Sequence, residues 1–517
     1  MSQKFTSTIT GASIFISVLG LVSRGLGFIR EMIFANNFGL ETEFDLYLVG
    51  AVLPITINTV LLYIGQNYFI PEFQKIGSTQ AHAQKYFKQS ILFFTGAGLL
   101  LAFLLFLTSE TIVNFYMPAA DFNNKETAIL VFKIFLITIP FSAAVSVFSA
   151  LLQSLYEFKH PAISILFLNV SIIILLILLS DQFGVYIIPI GYVAGTLLQF
   201  VYLIFKSRKF LKFDFQLKRE DLNISKAILS SSIVVIIIIE SMSQLYSLFD
   251  RYFYGQISPG GIASLNYALI IWFLPVSIFS ISLATAVFPV ITKAINDDSH
   301  AEIEKIYNES ISMNVFLFVP LAFILFFYGD VIIKIFFERG KFVEDSTAMT
   351  FGVLKFYSIS LVFYSVYAVF NKIFYSIKSA KILLYITGVG VLLKLLLNFV
   401  LVGYHQNGLA LSTSVSFIFF FIASYIFLNK KLKIKEGSLF IKDFLFHVIN
   451  CIICFMTVTI FSNLFFSNVW LNGLLEILLF ISLYMGSMLL VRHNAVNITQ
   501  RVFSRFSPLS YLKQNTR

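Results

Sequence analysis

The feature that most constrains this chain is a series of apolar runs, each about as long as a membrane is thick. Residues 163–179 contain no charged side chain, and residues 383–402 contain only one. A helix needs about 20 mostly apolar residues to cross a bilayer. Over the 517 residues, 58% are hydrophobic and 12% are charged, and the mean hydropathy is +0.86. This composition excludes an ordinary soluble protein.

The apolar runs predict helices, since they are too long and too little alternating for the strands of a membrane barrel. The fold class that we predict is an all-α polytopic membrane protein with about fourteen transmembrane helices. The predicted spans lie at residues 9–35, 44–74, 87–109, 127–155, 161–181, 185–206, 226–254, 262–292, 310–329, 348–376, 381–403, 407–429, 441–466 and 469–492.

Lysine and arginine are distributed unequally between the predicted loops. The two termini and the loops after even-numbered spans hold most of them, whereas the opposite loops hold only Lys125, Lys334, Arg339 and Lys341. By the positive-inside rule, both termini are expected to be cytoplasmic. The net charge of +10 is explained by this asymmetry and by attraction to anionic lipid headgroups. We therefore expect the lipid bilayer, and no nucleic acid, as a partner.

The cysteine and histidine residues do not predict a metal site. Cys451 and Cys454 form a CxxC pair inside the thirteenth predicted span. No further cysteine and no nearby histidine pair would complete a zinc site. The six histidines are scattered, mostly at predicted membrane edges or in loops. We expect the two cysteines to pack as ordinary helix residues.

The chain contains an internal repeat. A shift of 221 residues places Arg30 on Arg251 and Gly39 on Gly260. This match predicts two six-helix units of like orientation, related by a pseudo-two-fold axis along the membrane normal, with a central cavity between them. The predicted domains are an N-terminal six-helix lobe at 1–210, a cytoplasmic linker at 211–225, a C-terminal six-helix lobe at 226–430, two additional transmembrane helices at 431–494 and a basic cytoplasmic tail at 495–517.

Several ionisable side chains fall inside the predicted spans. A charge at the bilayer centre costs about 3 kcal/mol on insertion scales, so such residues usually face the bundle interior and mark a pathway. Arginine stays charged and presents a planar fork that matches phosphate oxygens. The candidates for binding a diphosphate or lining the cavity are Arg24, Arg30, Asp45, Arg251 and Lys394. The candidates for ion coupling are Glu240, Asp250 and Glu31.

Structural roles remain open for the same residues. Arg24 and Glu31 lie seven residues apart, hence on one helix face, where each would pair with neighbouring helices. Arg30 points away from that face and would extend to the outer interface. Asp45 would be a charge at a helix N-terminus or a partner for an arginine. Asp250 and Arg251 would be two interfacial charges.

The stretch SRGLGFIREMIFANNFG at 23–39, followed by FIPEF at 69–73, resembles the start of the MurJ (MviN) family of lipid II flippases in the MOP exporter superfamily. GGIASLNYA at 260–268 and FFERGKF at 336–342 are similar to later landmarks of that family, as are AVFPVIT at 286–292 and GLALSTSVS at 408–416. The resemblance implies that Arg24, Arg30 and Asp45 line the cavity and bind the lipid diphosphate and sugar. The chain departs from the family pattern at Asn58, Thr59, Leu269 and Ile270. The family has charged residues at some of these four positions.

The resemblance implies a flippase that moves an undecaprenyl-diphosphate-linked saccharide, such as lipid II, from the cytoplasmic to the outer leaflet by alternating access. It also implies residence in the bacterial inner membrane and contact with the cell-wall synthesis machinery. We expect no cofactor. The chain has no GxxxxGK[ST] loop for ATP, so the membrane potential, H+ or Na+ would supply the energy.

Three alternatives remain at the level of sequence. Two are transporters, namely a flippase for O-antigen or exopolysaccharide precursors and, more remotely, a cation-coupled drug antiporter. The third is a membrane-bound enzyme, which would need a sizeable polar loop with clustered carboxylates or a metal. The longest polar connection, 206–226, has three acidic residues among lysines and is typical of a solvated linker. We therefore predict that the protein is not an enzyme.

Overall fold

The computed structural model of the protein describes residues 9–76, 80–118, 121–208, 237, 241–242, 245–246, 248–435, 439–462 and 469–491. These ranges form helices and short connections and contain no strand, which confirms the all-α membrane fold. By length and composition, nine described helical segments are able to span a membrane, or ten with the bent pair Glu344–Ile359 and Leu361–Ser376. Two of the nine, Lys159–Ser207 and Ala380–Leu432, each cover two predicted spans. The number fourteen stays a prediction, and most of the seventh predicted span lies outside the described residues.

The chain divides into two compact units, Met1–Ala263 with Arg339–Val343, and Ser264–Glu338 with Glu344–Arg517. The predicted domain bounds differ from these and stay a prediction. The described helices of the first unit are α1 (Ile9–Phe38), α2 (Thr42–Ile64), α3 (Ile70–Ile76), α4 (Gln80–Leu107), α5 (Ser109–Tyr116), α6 (Phe122–Leu136), α7 (Thr138–Ser154), α8 (Lys159–Phe183) and α9 (Ile187–Ser207).

Glycines allow close contacts between helices in the first unit. A Cβ atom at Gly195 of α9 would lie 2.8 Å from the Cα of Leu168 in α8, and one at Gly191 would lie 3.0 Å from the Cα of Ile172. Small residues let backbones approach in this way, and the gain is van der Waals packing, since apolar side chains gain little by leaving lipid. The contact holds the middle of α8 against the first turns of α9.

The end of α1 is packed against residues 339–343, which belong to the same compact unit. Gly39 ends α1 in the left-handed region, at φ +53°, and a side chain there would collide with the backbone of Lys341. The amide of Lys341 donates to the carbonyl of Asn36 at 2.9 Å, and its ammonium lies 2.8 Å from Glu41. Lys341, one of the four cations predicted for the less basic face, is therefore paired, and a second, Lys334, lies 3.4 Å from Glu338.

The second compact unit contains most of α10 (Gly261–Pro275). Its other described helices are α11 (Ile281–Asn296), α12 (His300–Phe327), α13 (Gly329–Phe337), α14 (Glu344–Ile359), α15 (Leu361–Ser376), α16 (Ala380–Leu401), α17 (His405–Leu432), α18 (Leu439–Ser462) and α19 (Val469–Leu490). A π-helical turn, Val276–Ser280, joins α10 to α11, and another, Gly65–Phe69, joins α2 to α3. Each follows a helix that contains a proline, Pro275 or Pro54.

Residues with a left-handed backbone conformation, that is, with positive φ, recur at equivalent places in the two halves of the chain. They end helices or start them, where the backbone must reverse direction. The spacing is 221 or 222 residues for three pairs, which are Gly39 with Gly260, Tyr156 with Lys378, and Gly184 with His405. The first pair is one that the sequence repeat matched. This recurrence supports the predicted six-helix repeat, although the relation of the two copies in space stays a prediction.

Buried polar groups join α12, α18 and α19. The hydroxyl of Tyr484 donates to the carbonyl of Phe316 at 2.8 Å, and it also lies 2.8 Å from His447 Nδ1. Since the hydroxyl proton is already used, His447 must donate through Nδ1 to the Tyr484 oxygen. One turn earlier on α18, Asp443 accepts a hydrogen bond from Ser312. The sequence analysis identified none of these residues. Cys451 and Cys454, farther along α18, are buried and not disulfide-bonded.

We expect Tyr484→Phe to destabilise the second unit, because the carbonyl of Phe316 and the imidazole of His447 would both lose their hydrogen-bond partner. Hydrogen bonds between membrane helices contribute about 0.6–2 kcal/mol, so the melting temperature in detergent should fall by a few degrees. The matched control is Tyr385→Phe, since Tyr385 is 70% exposed. Equal melting temperatures for the two variants would contradict the assignment.

Candidate functional site

The candidate site is built around Arg30 in α1. Its Nη2 lies 2.5 Å from Glu31 Oε1, and its Nη1 donates to Asn169 Oδ1 at 3.1 Å. Its guanidinium carbon lies 5.5 Å from the ring centroid of Phe34 and 5.6 Å from that of Tyr192, within the range of cation–π attraction. We call these five residues the Arg30 cluster. The cluster holds a cation between a carboxylate, an amide and two aromatic rings.

The guanidinium of Arg30 has hydrogen-bonding capacity left over. An arginine carries five N–H donors, and only the two bonds to Glu31 and Asn169 are formed to described residues. Within the part of the chain that the structure describes, Nε is buried and donates to no acceptor. Burying a donor without an acceptor costs about 1–3 kcal/mol. A ligand that brings anionic oxygens would recover that cost.

Local packing explains how α8 and α9 reach Arg30. Asn169 is buried in the long apolar run of α8, and its amide nitrogen also lies 3.5 Å from the carbonyl of Ser23 in α1. Gly27 of α1 also lies beside Asn169, and a Cβ atom there would be in ordinary contact with Asn169 Oδ1, at 3.9 Å. Tyr192 follows Gly191, which allows α9 to pack closely on α8. The small residues thus bring the polar and aromatic groups to Arg30.

Aromatic rings form one wall of the cluster. Tyr47 of α2 is 3% exposed, and its side chain is hydrogen-bonded to Tyr192. The ring of Phe135 in α6 lies 5.0 Å from Tyr192 and 6.2 Å from Tyr47. Exclusion of water by these rings strengthens electrostatic attraction to the guanidinium. It also makes an uncompensated charge costly, so Arg30 needs an anion nearby.

Asp45 makes contacts that support its structural alternative, and its role in substrate binding stays a prediction. This residue is 1% exposed, and its two carboxylate oxygens accept hydrogen bonds from the amides of Gly260 at 2.8 Å and Ala263 at 2.7 Å. It therefore binds the N-terminus of α10, where free amides and the helix dipole favour a negative charge. Gly260 is left-handed, at φ +77°, and a Cβ atom there would lie 2.5 Å from the Leu40 carbonyl oxygen. The contacts favour the structural alternative over substrate binding.

The other predicted site residues lie in different surroundings. Arg24 is an exposed residue of α1. Asp250 and Arg251 are 6% and 8% exposed, and Arg251 interacts electrostatically with Asp45. Lys394 of α16 is 1% exposed, so protein encloses it in this conformation, and a ligand would reach it only after a rearrangement. Glu240 lies outside the described residues. Their assignments to substrate binding or ion coupling stay predictions.

Sequence reasoning missed four residues that surround Arg30, namely Phe34, Tyr47, Asn169 and Tyr192. Asn169 offered a signal, since it is the one amide within the apolar run 163–179. The aromatic residues offered none, because 17% of the chain is aromatic. The contact between Arg30 and Glu31 was not predicted from their spacing either. Neighbouring residues point about 100° apart on a helix, yet these two side chains meet.

We expect Asp45→Asn to lower stability by about 1–2 kcal/mol, as loss of a helix cap does. An amide side chain accepts only one of the two backbone N–H bonds and turns its own NH2 group towards the other. Thermal unfolding of the purified protein measures the effect. Asp181→Asn is the control, since Asp181 is exposed on α8. An unchanged melting temperature would show that Asp45 does not stabilise the start of α10.

The family model described as "Lipid II flippase MurJ" matches residues 34–481 of the chain. The lipid II flippase MurJ of Thermosipho africanus (strain TCF52B) is 26% identical over 479 residues, with 92% of this chain and 96% of the relative covered. A probable lipid II flippase MurJ of Buchnera aphidicola subsp. Acyrthosiphon pisum (strain APS) is 28% identical, with 89% and 91% covered.

Solved structures show a similar fold. A lipid II flippase MurJ in an inward closed conformation has a TM-score of 0.78 at 23% identity, with 93% of this chain and 99% of that chain covered. An inward-facing multidrug resistance MATE transporter of the MOP superfamily has a TM-score of 0.66 at 14% identity, with 79% and 94% covered. At these identities the likeness concerns the fold alone, and the chemistry must be argued from the site.

Proposed function

Because the chain belongs to the lipid II flippase MurJ family, we propose that it moves a saccharide linked to a lipid diphosphate, with lipid II as the substrate, from the cytoplasmic to the outer leaflet. The family confirms that the protein is a multi-pass membrane transporter and not an enzyme. The name lipid II flippase implies a role in peptidoglycan synthesis. Residence in the inner membrane, with both termini cytoplasmic, is part of the proposal.

The unfilled donor capacity of Arg30 carries the proposal. A diphosphate offers several anionic oxygens, and an arginine fork binds two of them in parallel. Phe34 and Tyr192 hold the guanidinium from its sides without using its N–H groups. A permanent cation beside aromatic rings suits a headgroup that must leave water but keeps its charge. Arg24, seven positions before Glu31 on α1, would contribute a second positive charge.

The cycle that we propose is alternating access without a cofactor. Arg30 and Arg24 capture the diphosphate from the cytoplasmic leaflet, while the lipid tail stays in the bilayer. A conformational change then exposes the headgroup to the outer side. The membrane potential, H+ or Na+ supplies the energy, with Asp250, Glu240 and Glu31 as candidates for ion coupling. Delivery of the product to the cell-wall synthesis machinery would complete the sequence.

Transport of fluorescent lipid II in proteoliposomes tests the role of Arg30. We expect Arg30→Ala to slow transport by about tenfold or more, since a hydrogen bond to a charged group contributes about 1.5–3 kcal/mol. Arg30→Lys should retain part of the rate, because it keeps the charge but not the fork. Arg208→Ala is the matched control, since Arg208 is exposed at the end of α9.

The same assay separates the alternatives. Full transport by Arg30→Ala would remove this guanidinium from the mechanism. Transport of an O-antigen or exopolysaccharide precursor but not of lipid II would change the saccharide and leave the diphosphate site in place. Transport of a cationic drug alone would favour the function named for the MATE structure.

A membrane potential should alter the rate of transport. An elementary charge that crosses the full potential gains about 2.3 kcal/mol per 100 mV, so a potential negative on the cytoplasmic side should accelerate outward movement of the anionic headgroup. A potassium gradient with valinomycin sets the potential in either direction. The same rate at both signs would show that no net charge moves in the rate-limiting step.

A further inference from the structure

We propose that Glu31 occupies part of the diphosphate position while the transporter is empty, and that it competes with the substrate for Arg30. This inference rests on the proposed function and concerns regulation at the same site. A carboxylate resembles one face of a phosphate, because both present anionic oxygens to a guanidinium. Glu31 would therefore bind Arg30 before the substrate arrives and again after it leaves.

The contact between Glu31 and Arg30 has a form that favours competition. One oxygen of Glu31 meets one nitrogen of Arg30, at 2.5 Å, so the contact is monodentate and leaves most of the fork unused. A carboxylate placed for stability alone is best satisfied by two parallel bonds. The diphosphate is able to make that bidentate contact. The incoming ligand would thus form more bonds to Arg30 than Glu31 forms.

The positions of the two residues on α1 also favour competition. Stable ion pairs on a helix join residues three or four positions apart, whereas neighbours do not face each other. Arg30 and Glu31 are neighbours, so both side chains must bend to meet, with side-chain exposures of 17% and 11%. Such a pair separates by side-chain rotation, without any change of the helix, when an incoming anion compensates the charge of Arg30. Rotation about the Glu31 side-chain bonds is enough to release Arg30.

A charge without a partner is costly at this site. Removing one partner of a largely desolvated ion pair is strongly destabilising, because the remaining charge has lost its water. Among the described residues, Glu31 is the only anionic partner of Arg30, since the other groups around it are an amide and aromatic rings. Glu31 therefore compensates the charge when no substrate is bound. On the outer side it would displace the departing diphosphate and restore the empty state.

Competition has a measurable consequence that a structural ion pair lacks. When two groups bind one guanidinium, each lowers the affinity of the other by the same factor. Coupling of this kind is typically 5- to 150-fold. Without the charge of Glu31, substrate should bind more tightly and leave more slowly. The concentration for half-maximal transport should then fall together with the maximal rate.

The test uses the full-length protein and undecaprenyl diphosphate as the binding probe, with lipid II flux in proteoliposomes as the second readout. For Glu31→Gln, which keeps the shape and removes the charge, we expect a dissociation constant about five- to tenfold lower than that of the wild type and a lower maximal flux. Glu43→Gln is the matched control, since Glu43 is exposed near the start of α2. It should change neither quantity.

A second variant decides the question if Glu31→Gln does not fold. Glu31→Asp keeps the charge but shortens the side chain, so its contact with Arg30 weakens and the affinity should rise above that of the wild type. Equal or weaker binding by the folded variant would overturn the competition. Failure of the proposed function looks different, because the wild type would then bind undecaprenyl diphosphate no better than Arg30→Ala does.

Discussion

The cost of holding a positive charge within an apolar helical bundle governs the arrangement around Arg30. Its guanidinium stays charged, so the protein must supply an anion, dipoles or polarizable rings in place of water. The Arg30 cluster contains all three: Glu31 is the anion, Asn169 provides the dipole, and Phe34 and Tyr192 provide the rings. The hydrogen bonding of the Arg30 guanidinium is incomplete, since its Nε is buried without an acceptor in the described chain. We propose that this deficit makes the site receptive to an anion.

The cluster depends on helices that approach closely. Gly191 and Gly195 let α9 pack on α8, and this places Tyr192 and Asn169 beside α1. Asp45 acts in the same unit by a different interaction, since its carboxylate binds the first amides of α10. The second unit uses buried hydrogen bonds instead, with Tyr484 and His447 joining α18 and α19 to α12. Inside a membrane such contacts replace the hydrophobic effect as the source of helix association.

The fold does not decide what is transported. A flippase for lipid II and a multidrug resistance transporter have folds similar to that of this chain, at low sequence identity. The difference lies in the groups presented to the substrate. A partly buried arginine fork flanked by aromatic rings favours an anionic headgroup and opposes a cationic drug. Family membership and the chemistry of this cluster therefore point to the same class of substrate.

The sequence by itself determined that the chain is a polytopic helical membrane protein, because apolar length and the need to satisfy backbone groups in lipid leave no other fold. The internal repeat and the candidate role of Arg30 were also predicted from the sequence, since charges, glycines and prolines in apolar runs are few and informative. Only the tertiary structure decided which groups meet Arg30, and only it showed that Asp45 binds the first amides of α10. Sequence spacing gives the face of a helix, but contacts between α1, α8 and α9 depend on how closely their backbones approach. That approach is set by packing over many residues.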